Sequence, residues 1–279
     1  MSQIDRSIEA ARNIISYADA LLITAGAGMG VDSGLPDFRG NQGFWRAYPP
    51  IAKLGISFIE MANPEWFHRD PHLAWAFYGH RLHLYRNTVP HSGYSRLLAI
   101  GSKMSYGYFV FTSNVDGQFQ KAGFDPQAIE ECHGSIHHMQ CIKPCRDNIW
   151  PGDDVKVTID ETRFKAVVPL PKCPHCSGIA RPNILMFGDW SWLSARTDKQ
   201  RNNFSQWLQQ AVDQNANVVI VECGAGEAIA TVRYMSENVA SRAGGTLIRI
   251  NPRDHHVPAG HIAIPMGAAE GIAAITEWD

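Results

Sequence analysis

Ala20-Leu-Leu-Ile-Thr-Ala-Gly26-Ala-Gly28-Met-Gly30-Val-Asp-Ser-Gly-Leu-Pro-Asp37-Phe38-Arg39-Gly40 joins an apolar run to a cluster of glycines. Ala20 to Thr24 reads as a strand, and Gly26, Gly28 and Gly30 read as the turn it enters. A strand entering a glycine-rich turn is how a nucleotide-binding α/β sheet begins. The spacing departs from the common dinucleotide fingerprint, because Val31 stands where the third glycine belongs. A glycine turn alone can be no more than a tight connection. The residues after it add chemistry: the Phe38 ring suits covering a planar nicotinamide, and the Arg39 guanidinium suits a phosphate.

Outward from this turn the same grammar repeats. Ile4, Ile8, Ala11 and Ile15 lie at helical spacing just upstream. Tyr108–Thr112 is a second apolar run and ends at Ser113-Asn114-Val115-Asp116. Asn217–Val221 ends at Glu222-Cys223-Gly224, and Thr246–Ile250 ends at Asn251. Each run delivers polar or glycine residues at its C-terminal end, the edge where open parallel sheets bind ligands. Gly43 to Tyr94 is rich in aromatics and reads as mostly helical, while Cys141 to Cys176 is polar with cysteine pairs at both ends. The expected fold is therefore α/β: a Rossmann-like parallel sheet with helices on both faces, plus a smaller lobe. The large lobe is expected over approximately 1–42, 95–136 and 180–279. The small lobe is expected from a helical insert, approximately 43–94, and a zinc module, approximately 137–179.

With 279 residues and 45% hydrophobic content, the chain can bury a substantial core in one domain carrying a smaller insert. A formal charge of −2 gives no basic surplus for nucleic acid. No apolar run approaches the roughly 20 residues of a membrane helix. Met1 to Ile15 lacks the pattern of a signal peptide, so the expected location is cytoplasmic. Oligomeric state is left open.

Cys141-Ile-Lys-Pro-Cys145 and Cys173-Pro-His-Cys176 are two short-spaced pairs with 27 residues between them. Two hairpin-like turns, each giving two thiolates, make a tetrahedral zinc site. Four sulfur ligands leave no open position, so one structural Zn2+ is expected. His175, between two ligands, reads as a solvated loop histidine. Seventeen residues after Asp116 comes His133-Gly134. Asn114 has both a donor and an acceptor for a ribose hydroxyl or a water, and Asp116 can accept from a carboxamide. A histidine beside glycine can act as a general base, but His133 is one of 12 histidines and by itself is unremarked.

Together these segments resemble the sirtuin family of NAD-dependent protein deacylases, from about Leu21 to about Ile275. GAGMGVDSGLPDFRG resembles the family's cofactor loop, TSNVD its Gln-Asn-Ile-Asp motif, and His133-Gly134 its catalytic histidine and glycine. The cysteine pairs resemble its zinc module, and RPNILMFGD (residues 181–189) its peptide-groove segment. The resemblance implies NAD as co-substrate, bound by Gly26, Ala27, Gly28, Asp37, Phe38, Arg39, Asn114, Asp116, Gly224 and Asn251. It implies His133 and Asn114 as catalytic residues, Phe187 and Gly188 as peptide contacts, and an acylated protein lysine as partner. The implied reaction releases nicotinamide and O-acyl-ADP-ribose, with His133 deprotonating a ribose hydroxyl.

Several positions depart from the family pattern. Ser113 replaces glutamine, Gly117-Gln118-Phe119 differs after the aspartate, and Met29-Gly30 stands for Ile-Ser. Where the family shows Gly-Thr-Ser after a strand, this chain has Glu222-Cys223-Gly224-Ala225-Gly226. A carboxylate there is expected to repel a phosphate unless it turns to a ribose hydroxyl. These departures imply a divergent bacterial-type member. They also keep open an ADP-ribosyltransferase or NAD hydrolase on the same scaffold, and a binding sensor without turnover. Tyr78 and Arg81 stand at i and i+3 on one helix face. They resemble the pair that holds the acyl carboxylate in desuccinylating sirtuins, whereas Asp37 is associated with deacetylases, so the acyl group stays open between these.

Overall fold

The structure is a computed structural model and describes residues 2–37 and 40–277. In the first strand, β1 (Ala20–Ala25), Leu21, Ile23 and Ala25 enter one core layer and Ala20 and Leu22 another. All six residues are buried. This is the period-2 alternation of a strand covered on both faces. Val110 and its neighbours Phe109 and Phe111 divide in the same way along β2 (Tyr108–Thr112).

Nine further strands follow: β3 (Ile129–Glu131), β4 (Gly134–Cys141), β5 (Ile149–Pro151), β6 (Ile159–Asp160), β7 (Lys165–Ala166), β8 (Ala180–Ile184), β9 (Val218–Cys223), β10 (Thr246–Ile250) and β11 (Ile262–Ile264). Six of the eleven strands among the described residues form one sheet in the order β11-β10-β9-β1-β2-β3, with every pairing parallel. The helices Gln3–Ser16, Ser92–Gly101 and Ala268–Thr276 supply Ala11, Ile15, Leu97, Ile272 and Ile275 to one face. Ala195–Asp213 and Thr231–Ala243 supply Phe204, Leu208, Val232 and Val239 to the other. The expected α/β fold is thus present. β3 and β11 are additions to it, each three residues long and too short to give a pattern.

The chain runs outward from β1 to β3 on one side and from β9 to β11 on the other. The switch point therefore lies between β1 and β9, the position at which open parallel sheets bind ligands in a crevice beyond the strand ends.

A second core forms around the rings of Phe44, Tyr48, Phe67, Trp75, Phe77 and Tyr78, which meet mostly edge to face. Its main helix, Pro71–Asn87, starts with Pro71 in the first turn and with the Asp70 carboxylate accepting from Leu73 N at 3.0 Å. Trp75 Nε1 donates to Ala180 O at 3.0 Å and ties this helix to β8. β4 pairs antiparallel with β5 and β8, and β6 with β7. β4 carries the chain away from the large sheet immediately after His133, and β8 brings it back.

Candidate active site

The turns after β1 and β9 touch through bare backbone. Gly26 N donates to Cys223 O at 3.0 Å, and Gly28 N to Gly224 O at 3.0 Å. A Cβ on Gly28 would lie 2.7 Å from Gly224 Cα, and one on Gly224 would lie 2.3 Å from Gly28 C. Gly224 also has φ +63°, so glycine is needed there on two counts. Gly226, by contrast, faces open space, with Asp254 Oδ2 the nearest atom at 3.8 Å.

The turn after β2 joins this pair. Asn114 Nδ2 donates to Gly26 O at 2.9 Å, and Asn114 N to Thr112 Oγ1 at 3.0 Å. Thr112 Oγ1 in turn donates to Ala25 O. Asn251 follows β10 and is fully buried. Its Nδ2 donates to Ala225 O at 2.9 Å, and its Oδ1 accepts from Arg253 N and Asp254 N, each at 3.0 Å. Gly26, Gly28, Asn114, Gly224 and Asn251 therefore form one hydrogen-bonded set at the switch point. Ala27 is exposed beside it. Asp37 accepts from Arg253 Nη2 at 3.3 Å, which links the first turn to the loop after β10. Phe38 and Arg39 lie outside the described residues.

Asp116 is 8% exposed, and its Oδ1 accepts from Gln118 N at 2.9 Å. Burial pushes its carboxyl up to about 6, aided by the nearby Glu131 charge and opposed by that hydrogen bond and by Arg81. The His137 ring lies over Gly117 and its Nε2 bonds Asp116 O at 2.9 Å, which fixes the backbone of this loop. His133 is half-buried. Burial lowers its pKa, and a hydrogen bond to the backbone of Ser113 only partly opposes this. Its carbonyl accepts from Leu185 N at 2.9 Å. Gly134, with φ +76°, lets β8 cross close behind: a Cβ there would lie 2.1 Å from Asn183 O. His133 thus sits beside the Ser113–Asp116 loop as a neutral imidazole, the form that accepts a proton.

Phe187 and Gly188 lie on the turn after β8. Phe187 N donates to Ala62 O, and its ring meets Phe58 edge to face. The turn is pinned by a fully buried bidentate pair, Arg181 Nη1 to Asp189 Oδ2 at 2.7 Å and Nη2 to Oδ1 at 2.9 Å. Arg81 is 7% exposed; its Nε and Nη2 both donate to Tyr85 Oη, at 3.0 and 2.8 Å. Its guanidinium also lies 5.3–5.8 Å from the ring centres of Phe77, Tyr78 and Tyr85. Tyr78 Oη is buried without a hydrogen-bond partner.

The four cysteine sulfurs all lie within 4.8 Å of one another, and Cys141–Cys176 and Cys145–Cys173 are each 3.6 Å apart. That is far beyond a disulfide bond. It fits the edge, about 3.8 Å, of a tetrahedron with 2.3 Å Zn–S bonds. His175 is exposed and bonds Asn148, outside the four-sulfur set. The donor set suits a closed structural zinc.

The expectation for Glu222 is corrected. Its position is inside β9, not in the turn, and its side chain is fully buried in line with Thr24 and Arg249 of the neighbouring strands. Arg249 clasps it, with Nη2 at 3.1 Å from Oε2, and also donates to Glu237 at 2.8 Å. Both carboxylate oxygens are satisfied by Arg249 inside the sheet. Gly224-Ala225-Gly226 occupies the turn instead. Arg249 was missed in the sequence; a lone arginine in the run TLIRI, beside an acid in VVIVE, was the available sign.

Residues 26–221 match the Sir2 family. The chain is 30% identical over 247 residues to a protein of Pyrococcus abyssi named NAD-dependent protein deacylase, covering 88% of this chain and 86% of that one. The chain belongs to the Sir2 family. A Thermococcus sibiricus protein of the same name is 32% identical over 183 residues, 65% of each chain. Among solved structures, a Sir2 homologue in complex with NAD aligns with 25% identity and a TM-score of 0.68, covering 96% of this chain and 92% of the other. The Sir2 match begins at Gly26 and takes in Asn114, Asp116, His133 and all four clustered cysteines.

Proposed function

We propose that this Sir2-family chain is an NAD-dependent protein-lysine deacylase that moves an acyl group from lysine to ADP-ribose and releases nicotinamide. The observation that carries this reading is the convergence of Asn114, buried Asp116 and half-buried His133 at the switch point of the sheet. The names of the relatives point the same way.

NAD, when bound, supplies a ribose carbon from which nicotinamide can leave. The bare turns of Gly26, Ala27, Gly28 and Gly224 let a diphosphate approach the backbone closely, with Asp37 on the segment that follows the first turn. Asp116 accepts from the nicotinamide carboxamide, and Asn114 orients a ribose hydroxyl or water. His133, kept neutral by burial, would take the proton of a ribose hydroxyl. Asn251 matches the family residue that contacts the adenine-side ribose, so the loop it braces is assigned to the nucleoside end. Phe187 and Gly188 receive the peptide. Cys141, Cys145, Cys173 and Cys176 hold a structural Zn2+ that fastens the segment between β4 and β8.

Within this reaction, Tyr78 and Arg81 favour an acyl chain ending in a carboxylate. A buried guanidinium and an unpartnered buried phenol match its charge and its acceptor oxygens. A cytoplasmic location is consistent with cysteines paired for metal binding, a pattern typical of reducing compartments.

Nicotinamide release with an acetylated peptide, a succinylated peptide and no peptide tests the reading. Release that requires an acyl-peptide supports it, with succinyl faster than acetyl if Tyr78 and Arg81 receive the acyl carboxylate. Equal release without peptide sinks it in favour of NAD hydrolysis or ADP-ribosyl transfer, and no release sinks the enzyme itself.

A further inference from the structure

Two buried arginines converge on one short loop. Arg249, on β10, donates through Nη1 to the carbonyl of His256. Arg233, on the helix Thr231–Ala243, donates through Nη1 to Asp254 O at 2.7 Å and through Nη2 to His256 O at 3.1 Å. Both residues are buried, Arg249 at 1% and Arg233 at 9% exposure. From the other side, Asn251 Oδ1 accepts from the backbone of Arg253 and Asp254. Residues 253–256 are thereby clamped at four backbone atoms, and the Asp254 carboxylate is set beside the open face of Gly226.

Charge neutralisation of Glu222 does not call for this arrangement. Neighbouring positions of the same two strands are apolar, as at Val219 and Ile248. A buried ion pair in their place gains little stability over such residues. Arg249 does more than close the pair: its planar fork reaches Glu222, Glu237 and the loop at once, which a lysine cannot do. Arg233 makes no bond to Glu222 and still serves the same loop.

We propose that the Glu222–Arg249–Glu237 network, with Arg233, is a positioning device for the nucleoside end of the co-substrate. It sets the height of residues 254–256 over the Gly224–Gly226 turn and so sets nucleotide affinity without touching the reacting atoms. Arg249 and Arg233 are positioning residues, and this role rests on the NAD reading above. Glu222, which looked out of place beside a phosphate, becomes the anchor of the arginine that shapes the site.

Calorimetric titration of ADP-ribose, with KM for NAD and kcat measured alongside, tests this on Arg249→Lys and Arg233→Met. Arg249→Lys keeps a cation for Glu222 but loses the fork; Arg233→Met leaves the Glu222 pair intact, so folding is secured in at least one variant. Each is expected to weaken ADP-ribose binding and raise KM for NAD roughly tenfold, the scale of one or two hydrogen bonds, with kcat within about twofold. Arg201→Ala, which removes a different partner from a buried acid, Glu130, is expected to leave ADP-ribose binding unchanged. Unchanged ADP-ribose affinity in the two variants, or a loss in kcat alone, overturns the positioning role. If the unaltered protein binds neither ADP-ribose nor NAD, it is the co-substrate reading that fails.

Discussion

Two strand ends meet the same crevice, yet they handle buried charge in opposite ways. Along β9 and β10, Glu222 and Arg249 are fully buried and mutually satisfied. Hydrogen bonds and opposite charges from Glu222 and Glu237 outweigh burial and keep Arg249 firmly charged. In the loop after β2, Asp116 is also buried, but burial wins and lifts its carboxyl to about 6. Nearby His133 is pushed the same way, toward its neutral form. Groups whose charge is compensated hold the frame. Groups left under-compensated stay ready to exchange a proton or take a new hydrogen bond, which is where functional residues concentrate.

This contrast breaks if the two kinds of residue respond alike to removal. His133→Ala is expected to lower kcat for acyl-peptide by roughly 10²–10⁴-fold, the usual contribution of a general base. Thermal unfolding should shift little, since the imidazole is only half-buried and its bond is to the Ser113 backbone in a loop, outside the strand ladders. Retained turnover, or a collapse in stability matching the lost rate, places His133 with the frame residues.

Arg249→Met is the converse. It leaves Glu222 buried without its cation and is expected to cost roughly 3–5 kcal/mol of stability. Adding Glu222→Leu should recover much of that loss, because an apolar pair suits the strand interior. Chemical denaturation of the single and double variants reads both effects. A double variant no more stable than the single one means that the pair itself does not account for the loss.

The same division governs what was legible beforehand. The glycine turn, the Asn114–Asp116 motif and the cysteine pairs are local in sequence, and their chemistry follows from residue type and spacing. The large sheet was legible through its long apolar runs. Glu222 was misread because β9 runs two residues past the expected end at Val221, which takes this side chain from the turn into the sheet interior, and the compensating Arg249 lies 27 residues further on. The Arg181–Asp189 clamp was visible as letters but not as a pair, since only the bend at Gly188 brings the ends of that segment together. β3 escaped because its acids, Glu130 and Glu131, look like surface residues until Arg201 and Arg196 cover them. Sequence shows the groups a site needs, whereas charge compensation across distant strands appears only once the chain is folded.

Asp116→Asn sharpens the contrast most finely because stability and function should move in opposite directions. The folded carboxyl titrates near 6, against an ordinary value of 3.8. The folded protein therefore holds a proton that the unfolded chain has already released. The stability this protonated carboxyl contributes is fully present below about pH 4 and is lost as pH rises through 6. At pH 7 the ionised group is a burden, and the asparagine variant should be more stable by up to about 3 kcal/mol. Its amide oxygen can still accept from Gln118 N, so the loop keeps its geometry. The gain should shrink as pH falls toward 4, where the native side chain is itself neutral. At neutral pH the variant should bind NAD more weakly, since a neutral acceptor makes a weaker hydrogen bond than a carboxylate. Denaturant melts at pH 4 and pH 7 measure the first effect, and KM for NAD the second. A variant less stable at pH 7, or a gain independent of pH, means Asp116 is compensated as fully as Glu222, and the distinction between the two strand ends disappears.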